Sequence, residues 1–396
     1  MDTPMTDRNA VALPMGSQRD LFEVPRHVAY FNCASSMPQL RAASERLAAT
    51  ARAKAHPWTR TPADYLGNAE TIRQLCAELV GGDSDGYAVV PSASYAIATA
   101  VRALESSVGS GDEVVMMAEE FPSMVLALRR LAAERGARVA VVPTPPDGDW
   151  SGALVARIGE GARVVGVSSC HWTNGARVDL LAVARACRSV GAALIVDGTQ
   201  TVGAMPFDME AIAPDFLAIS GYKWMMAPYG VSFLYVAPRW RDARPLEEAW
   251  LARHGAEDFA GLVSPSDRYQ PGARRFDMGE KGHALLPGAI AGLEQLRAWG
   301  VPAIAASLAE VNERVTRRLG ELGFILPPQE LRCPHMFGAE APEGFPGDIA
   351  ARLRAQDIHI SRRGRSLRFA PHLHVDDADI ERLIGALEAI AAKARA

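Results

Sequence analysis

Cysteine is scarce and unpatterned in this sequence. Its 396 residues contain five, Cys33, Cys76, Cys170, Cys187 and Cys333. No two lie at C-x-x-C distance, which excludes a zinc knuckle and a thioredoxin-type motif. An odd, sparse set in a chain of this size points to a reducing compartment. Long apolar runs are missing too: stretches such as Ala192–Val196 fall far short of the ~20 residues that span a bilayer. Residues 1–20 carry Asp, Arg, Asn and Gln and lack the apolar segment of a secretory signal. Nor does one sign of charge dominate. Forty-two Lys plus Arg face 46 Asp plus Glu, a net charge of −4, which leaves no broad basic field for nucleic acid or a membrane surface. No G-x-G-x-x-G follows a strand-like run; Gly109-Ser110-Gly111 precedes one and lacks the third glycine. A Walker motif is absent as well, so nicotinamide and P-loop chemistry are disfavoured. These absences predict a soluble, cytoplasmic protein whose partners are small molecules.

Hydrophobic residues make up 48% and charged residues 22% of the chain, an ordinary globular balance. From residue 87 the pattern alternates. Seven short apolar runs, at 87–90, 113–117, 138–142, 163–168, 193–196, 216–219 and 231–236, are spaced by helical-period stretches at 96–104, 123–135 and 180–190. Apolar runs without polar alternation suit strands buried on both faces, joined by right-handed helical crossovers. The expectation is an α/β fold: a mainly parallel seven-stranded sheet with helices on both faces. Residues 238–276 are charged and rich in Trp and Pro, and long amphipathic helices follow at 289–299, 303–322 and 376–394. The organisation read from this is an N-terminal arm over 1–30, a large domain over 31–275, and a smaller C-terminal α+β domain over 276–396. The arm is expected to pack on the small domain or on a partner subunit.

The most informative stretch runs from Ala193 to Val236. One buried run ends in Asp197 and the next ends in Ser220-Gly221-Tyr222-Lys223. Carboxyl ends of strands in doubly wound sheets form the ligand crevice, so a carboxylate and an amine distant in sequence are aimed at one region. Taken singly, Asp197 could be a structural ion-pair partner and Lys223 an ordinary surface lysine. Tyr222, Trp224, Met225 and Met226 around the lysine argue otherwise. Such a desolvating setting lowers an amine's pKa and makes it a nucleophile.

With Asp-Gly-Thr-Gln at 197–200 and Ser-Gly-Tyr-Lys at 220–223, the chain resembles the class V aminotransferase family. That family lies within the fold type I pyridoxal-phosphate enzymes, alongside cysteine desulfurases, kynureninases and isopenicillin-epimerase-like proteins. The resemblance extends from about Tyr30 to Leu387. It implies pyridoxal 5′-phosphate as cofactor, Lys223 as the Schiff-base lysine and proton carrier, and Asp197 as partner of the pyridinium nitrogen. Gln200 matches the contact to the phenolic oxygen. The turn Ser92-Ala93-Ser94 stands where the family has Gly-Ala-Thr, so Ala93 and Ser94 become phosphate contacts at a helix N-terminus, joined by Ser220 and Tyr222. Phe121, in Glu120-Phe121-Pro122-Ser123, matches the ring-stacking position. His171 and Trp172 follow a strand end, His171 as a cofactor contact and Trp172 as a substrate contact.

Ser366-Leu367-Arg368-Phe369-Ala370-Pro371 resembles the segment carrying the α-carboxylate clamp, which makes Arg368 that clamp, a planar donor suited to a carboxylate. Arg362, Arg363 and Arg365 read as solvated surface charges. Asn32 and Ser35 match a substrate-lining loop. Residues 274–281 correspond to a segment that reaches a neighbouring subunit's phosphate. Glu280 is expected to turn away, leaving main-chain amides or Lys281 for that contact, in a homodimer with shared active sites.

Residues 358–368 contain no cysteine, whereas the desulfurases carry their mobile-loop cysteine there, so persulfide chemistry is disfavoured. The resemblance leaves an amino-acid substrate and an aminotransferase as the first expectation. A β-eliminating carbon–sulfur lyase or an epimerase is the alternative. A transcription regulator built on this fold needs a DNA-binding module, for which the arm is too short.

Overall fold

The computed structural model describes residues 14–395. Seven strands build the central sheet: β1 (Tyr87–Val90), β2 (Glu113–Met117), β3 (Arg138–Val142), β4 (Ala162–Ser168), β5 (Ala193–Asp197), β6 (Phe216–Ser220) and β7 (Ser232–Val236). Their spatial order is β1-β7-β6-β5-β4-β2-β3. β7 alone runs against its neighbours β1 and β6; the pairs from β6 across to β3 are parallel.

Period-two alternation sorts the strand residues onto two covered faces. Leu194 and Val196 pack with Ile72 and Cys76 of helix Pro62–Val80 and with Val183 and Cys187 of helix Leu180–Val190. Ala193 and Ile195 face the other way, against Ile97 and Ala100 of helix Ala93–Leu104 and Met124 and Leu128 of helix Pro122–Arg135. Gly166 shows how close that second layer comes: a Cβ there would lie 2.4 Å from Leu128 Cδ1. The helix after β1 begins at Ala93, three residues ahead of the apolar period, because Ser92 caps it by accepting the Tyr95 N–H at 3.1 Å.

A second, antiparallel sheet has the order β9-β10-β8, from β8 (Phe337–Ala339), β9 (Ser361–Arg363) and β10 (Ser366–Phe369). Phe337 and Phe369 stack at 5.1 Å inside a cluster with Val315, Leu319, Leu383 and Leu387. Helix Leu286–Trp299 contributes Leu286, Ala289 and Leu293 to the core of the large sheet instead. The described part of the N-terminal stretch lies against the chain's own C-terminal residues. Ala29–Tyr30 pairs in parallel with Ile358–His359, and buried Arg19 meets Asp379 at 2.5 Å. Residues 1–13 of the expected arm lie outside the described residues. Among the described residues no helix is long and apolar enough to cross a membrane, and no group of three or more His, Cys, Asp or Glu is placed to hold a metal.

Candidate active site

β5 delivers Asp197 and the turn after β6 delivers Lys223 to one end of the sheet. Gly221 permits that turn, since a Cβ on it would sit 2.2 Å from the Val231 carbonyl oxygen. Lys223 is 6% exposed, with its amine 5.5 Å from the Tyr222 ring centre and 5.7 Å from that of Phe121. Burial brings the amine down to about 8; the Asp197 carboxylate opposes this, and Arg368 and Arg363 reinforce it. Asp197 is buried too, which lifts its carboxyl above the usual value against the hydrogen bonds from Thr199 and the charge of Lys223. The Thr199 N–H donates to its Oδ1 at 2.9 Å. The two groups share a desolvated cavity without forming a direct ion pair.

Of the residues singled out in the sequence, Ala93, Phe121, Trp172, Gln200, Ser220 and Tyr222 line this cavity with Asp197 and Lys223. Ser168 and Thr199 complete the lining; neither was singled out, although Thr199 stands inside the Asp-Gly-Thr-Gln motif. Ser94 is exposed just outside it, its hydroxyl sharing a hydrogen bond with Ser123 Oγ at 2.7 Å. His171 turns away. Its ring stacks on Trp150 at 5.0 Å and its nitrogens face Thr173 Oγ1 and the Ala118 carbonyl. Gln200 is held by the protein on both sides of its amide, donating to the Ala34 carbonyl and accepting from Trp224, each at 3.0 Å.

Glu120 was passed over because nothing local marks a loop glutamate as buried. It is 3% exposed and receives the N–H groups of Ser168 (2.9 Å) and Phe121 (2.7 Å) and the Ser168 hydroxyl (2.5 Å). Burial raises its carboxyl to about 7, with a smaller push from Asp197.

Arg368 is 1% exposed and uses three of its five N–H donors within the protein. It donates to Ser361 Oγ at 3.1 Å, the Trp172 carbonyl at 2.6 Å and Ser35 Oγ at 2.8 Å. Ser35 in turn donates to Asn32 Oδ1 at 2.8 Å, so the three polar residues expected around substrate are one hydrogen-bonded unit. Burial and the charge of Arg363 bring Arg368 down to about 10. The sequence reading of Arg363 as a solvated charge is corrected here. Its Nη2 donates to the same Ser35 hydroxyl at 3.2 Å and its guanidinium lies 5.8 Å over Trp172. Arg362 and Arg365 are exposed as expected. Lys281 also departs from expectation. It is buried and bonded to Asp277 at 2.8 Å within its own chain, so it does not reach outward, whereas Glu280 is exposed.

Residues 38–375 match the family described as aminotransferase class-V. The chain belongs to that family. It is 26% identical to isopenicillin N epimerase of Streptomyces clavuligerus, over 92% of this chain and 95% of that protein. It is 24% identical to a probable cysteine desulfurase of Pyrococcus abyssi, over 81% of this chain and 82% of that one. Among solved structures, a C-DES variant with glycine covalently linked to its pyridoxal-phosphate cofactor superposes with a TM-score of 0.84. That likeness has 20% identity and covers 94% of this chain and 99% of that one. The class V family uses pyridoxal phosphate, and this chain is a pyridoxal-phosphate-dependent enzyme of that class. The cavity suits the group: a buried amine near neutrality, a buried carboxylate, an aromatic face, and hydroxyls at the N-terminus of a twelve-residue helix.

Proposed function

We propose that this enzyme is an aminotransferase in which Lys223 holds the cofactor and carries the proton, with Asp197 partnering the ring nitrogen. The observation that supports it is Lys223, the one amine among the residues lining the cavity, held buried near 8 with no histidine beside it in that lining, since the His171 ring is turned onto Trp150. When bound, the cofactor supplies a ring that takes up the electrons left at the amino acid's Cα. Everything else falls to the chain. Lys223 is placed to take the Cα proton and return it elsewhere on the same face. With the cofactor bound, Asp197 would hold a proton on the ring nitrogen, Phe121 would supply the aromatic face, and Ser94, Ser220, Tyr222 and the Ala93 amide would receive the phosphate. Gln200 is fixed by Ala34 and Trp224 to meet the phenolic oxygen, and Arg368 with Asn32, Ser35 and Trp172 clamps the α-carboxylate.

The lining offers Lys223 no second amine or histidine, which disfavours epimerisation by two such bases on opposite faces. All five cysteines are buried and none lines the cavity, which disfavours persulfide formation. Elimination of a β-substituent uses the same base and stays as the second reading. Exposed Trp250 and Phe259 pack on each other, with half-buried Tyr65 against Phe259, an aromatic patch that supports a homodimer, and the buried thiols suit a cytoplasmic enzyme.

Borohydride reduction of the loaded protein should label Lys223, and Lys223→Ala should lose the label; labelling of another lysine in that variant sinks the assignment. A single-turnover panel of amino acids decides the reaction. Conversion of the cofactor to its amine form with release of an oxoacid supports transamination; pyruvate release with unchanged cofactor supports elimination.

A further inference from the structure

Two arginines, not one, stand beside the cavity, and the hairpin explains why. In the β9–β10 pair Ser361 faces Arg368 and Arg363 faces Ser366. Directly paired residues of an antiparallel ladder share a face, as do residues two apart on one strand. Ser361, Arg363, Ser366 and Arg368 therefore point the same way, while Arg362 points oppositely and donates to the Gly347 carbonyl. Both inward guanidinium groups converge on one hydroxyl, Ser35 Oγ, at 2.8 Å from Arg368 and 3.2 Å from Arg363. That oxygen already donates to Asn32, so its valence is full.

The charge around this point is unbalanced. Among the described residues neither Arg363 nor Arg368 forms a salt bridge, although arginines elsewhere in the chain are widely paired with carboxylates. The acidic groups nearby, Asp197 and Glu120, are both buried, and burial pushes each towards its neutral form. Two guanidinium groups on one oxygen repel, and the repulsion is relieved when anions lie between them. One α-carboxylate satisfies Arg368. It leaves Arg363, whose guanidinium lies 5.8 Å over the Trp172 face and donates only to neutral oxygens, Ser35 Oγ and the Arg362 carbonyl, without an anionic partner.

We propose that Arg363 and Trp172 form a side-chain subsite for a second acidic group, so that the substrate is an amino acid with a carboxylate side chain. This rests on the reading of Arg368 as the α-carboxylate clamp. It adds a substrate class to a site otherwise defined only as taking an amino acid.

The test uses the cofactor-loaded enzyme and separates binding from reaction. Succinate and its monoamide, succinamate, are titrated against the cofactor's absorbance as unreactive probes. The expected result is at least about tenfold tighter binding of succinate, from the added charge-assisted pair. In Arg363→Gln that preference should fall toward unity, and Arg363→Lys should restore part of it. Under turnover, the preference for aspartate over asparagine and for glutamate over glutamine, read as ratios of kcat/KM, should collapse in Arg363→Gln. Equal binding of succinate and succinamate by the unaltered enzyme overturns the proposal, as does a preference that survives Arg363→Gln. A loaded enzyme that binds succinate selectively yet converts no amino acid leaves the subsite standing and removes the proposed reaction. Should Arg363→Gln fold poorly, the two-probe ratio in the unaltered protein still decides.

Discussion

Trp224 donates its indole N–H to Gln200 Oε1 at 3.0 Å, tying the residue after Lys223 to the residue three beyond Asp197. The two halves of the cavity are thus cross-linked beneath its floor. His335 reinforces the link, its Nε2–H donating to the Gln200 carbonyl and its ring edge packing on Trp224 at 4.7 Å. Burial takes His335 down to about 4, so this ring is neutral and its donor is fixed. Trp224→Phe keeps an aromatic ring but leaves a buried acceptor unpartnered, which costs about 1–3 kcal/mol. Chemical denaturation should show that loss, and release of the cofactor should quicken, because Gln200 loses one of its two anchors. A Trp224→Phe enzyme as stable as the parent would mean that the hydrogen bond holds nothing in place.

Lys223 predicts a pH dependence with a definite sign. Its amine is neutral and reactive above about 8 instead of the ordinary 10.5, so capture of pyridoxal phosphate by cofactor-free protein should accelerate with a midpoint near 8. Asp197 is the group that holds this value up. A nearby negative charge favours the ammonium form, and Asp197→Asn removes it. The midpoint of capture should therefore move below 8, read by quenching with cyanoborohydride at a series of pH values. An upward shift contradicts the electrostatics described above.

How much of this was legible in the sequence follows from what each residue depends on. Asp197 and Lys223 could be found because one ends an uninterrupted apolar strand and the other follows such a strand by three residues, and strand ends define the crevice. Phe121 and Gln200 came with motifs of fixed offset from such ends, and both line the cavity. The start of the helix at Ala93 was missed by three residues, since a cap and a phosphate-binding turn share the same small polar residues. Glu120 and Arg363 were misjudged or overlooked for a different reason. A charged residue in a loop or short hairpin carries no local sign of burial. Arg363 is brought to the site only by the register that sets Ser361 against Arg368, and that register depends on β8 and on residues more than three hundred positions away, at Asn32 and Ser35.

Asp277 anchors a buried charge cluster below the cofactor end of the sheet. It pairs with Arg73 at 2.5 Å and Lys281 at 2.8 Å, and it accepts the Val89 N–H at 2.9 Å. Burial would raise its carboxyl, but Arg73 and Lys281 outweigh that and hold it below the ordinary value. Asp277→Asn leaves two buried cations without a counter-charge, and breaking such a set costs about 3–5 kcal/mol. The sign with pH follows. A depressed carboxyl contributes stability that is present above the unfolded value near 4 and is lost as pH falls through the folded one. Denaturation midpoints measured from pH 7 downward should converge for the parent and Asp277→Asn in acid. A gap that persists unchanged there would assign the cost to packing and not to charge.

Glu120 gives the opposite pH dependence. Its carboxyl, ordinarily near 4.5, stands at about 7 in the folded protein because burial disfavours the anion. A raised folded value means that the unfolded chain releases its proton first, so the protonated group's stabilising effect is full below 4.5 and is lost as pH rises through about 7. The span corresponds to at most about 3 kcal/mol. Glu120→Gln keeps one oxygen for the Phe121 N–H and the Ser168 hydroxyl, gives up the acceptor that met the Ser168 N–H, and cannot ionise. The variant should therefore be less affected than the parent by raising pH from 5 to 8, and it should gain on the parent across that interval in guanidinium denaturation. Asp197, and not Glu120, is the carboxylate that acts on Lys223, so the capture midpoint of Glu120→Gln should stay close to the parent's while that of Asp197→Asn moves down. Parallel pH dependence of stability in the parent and Glu120→Gln would place the Glu120 carboxyl outside this linkage.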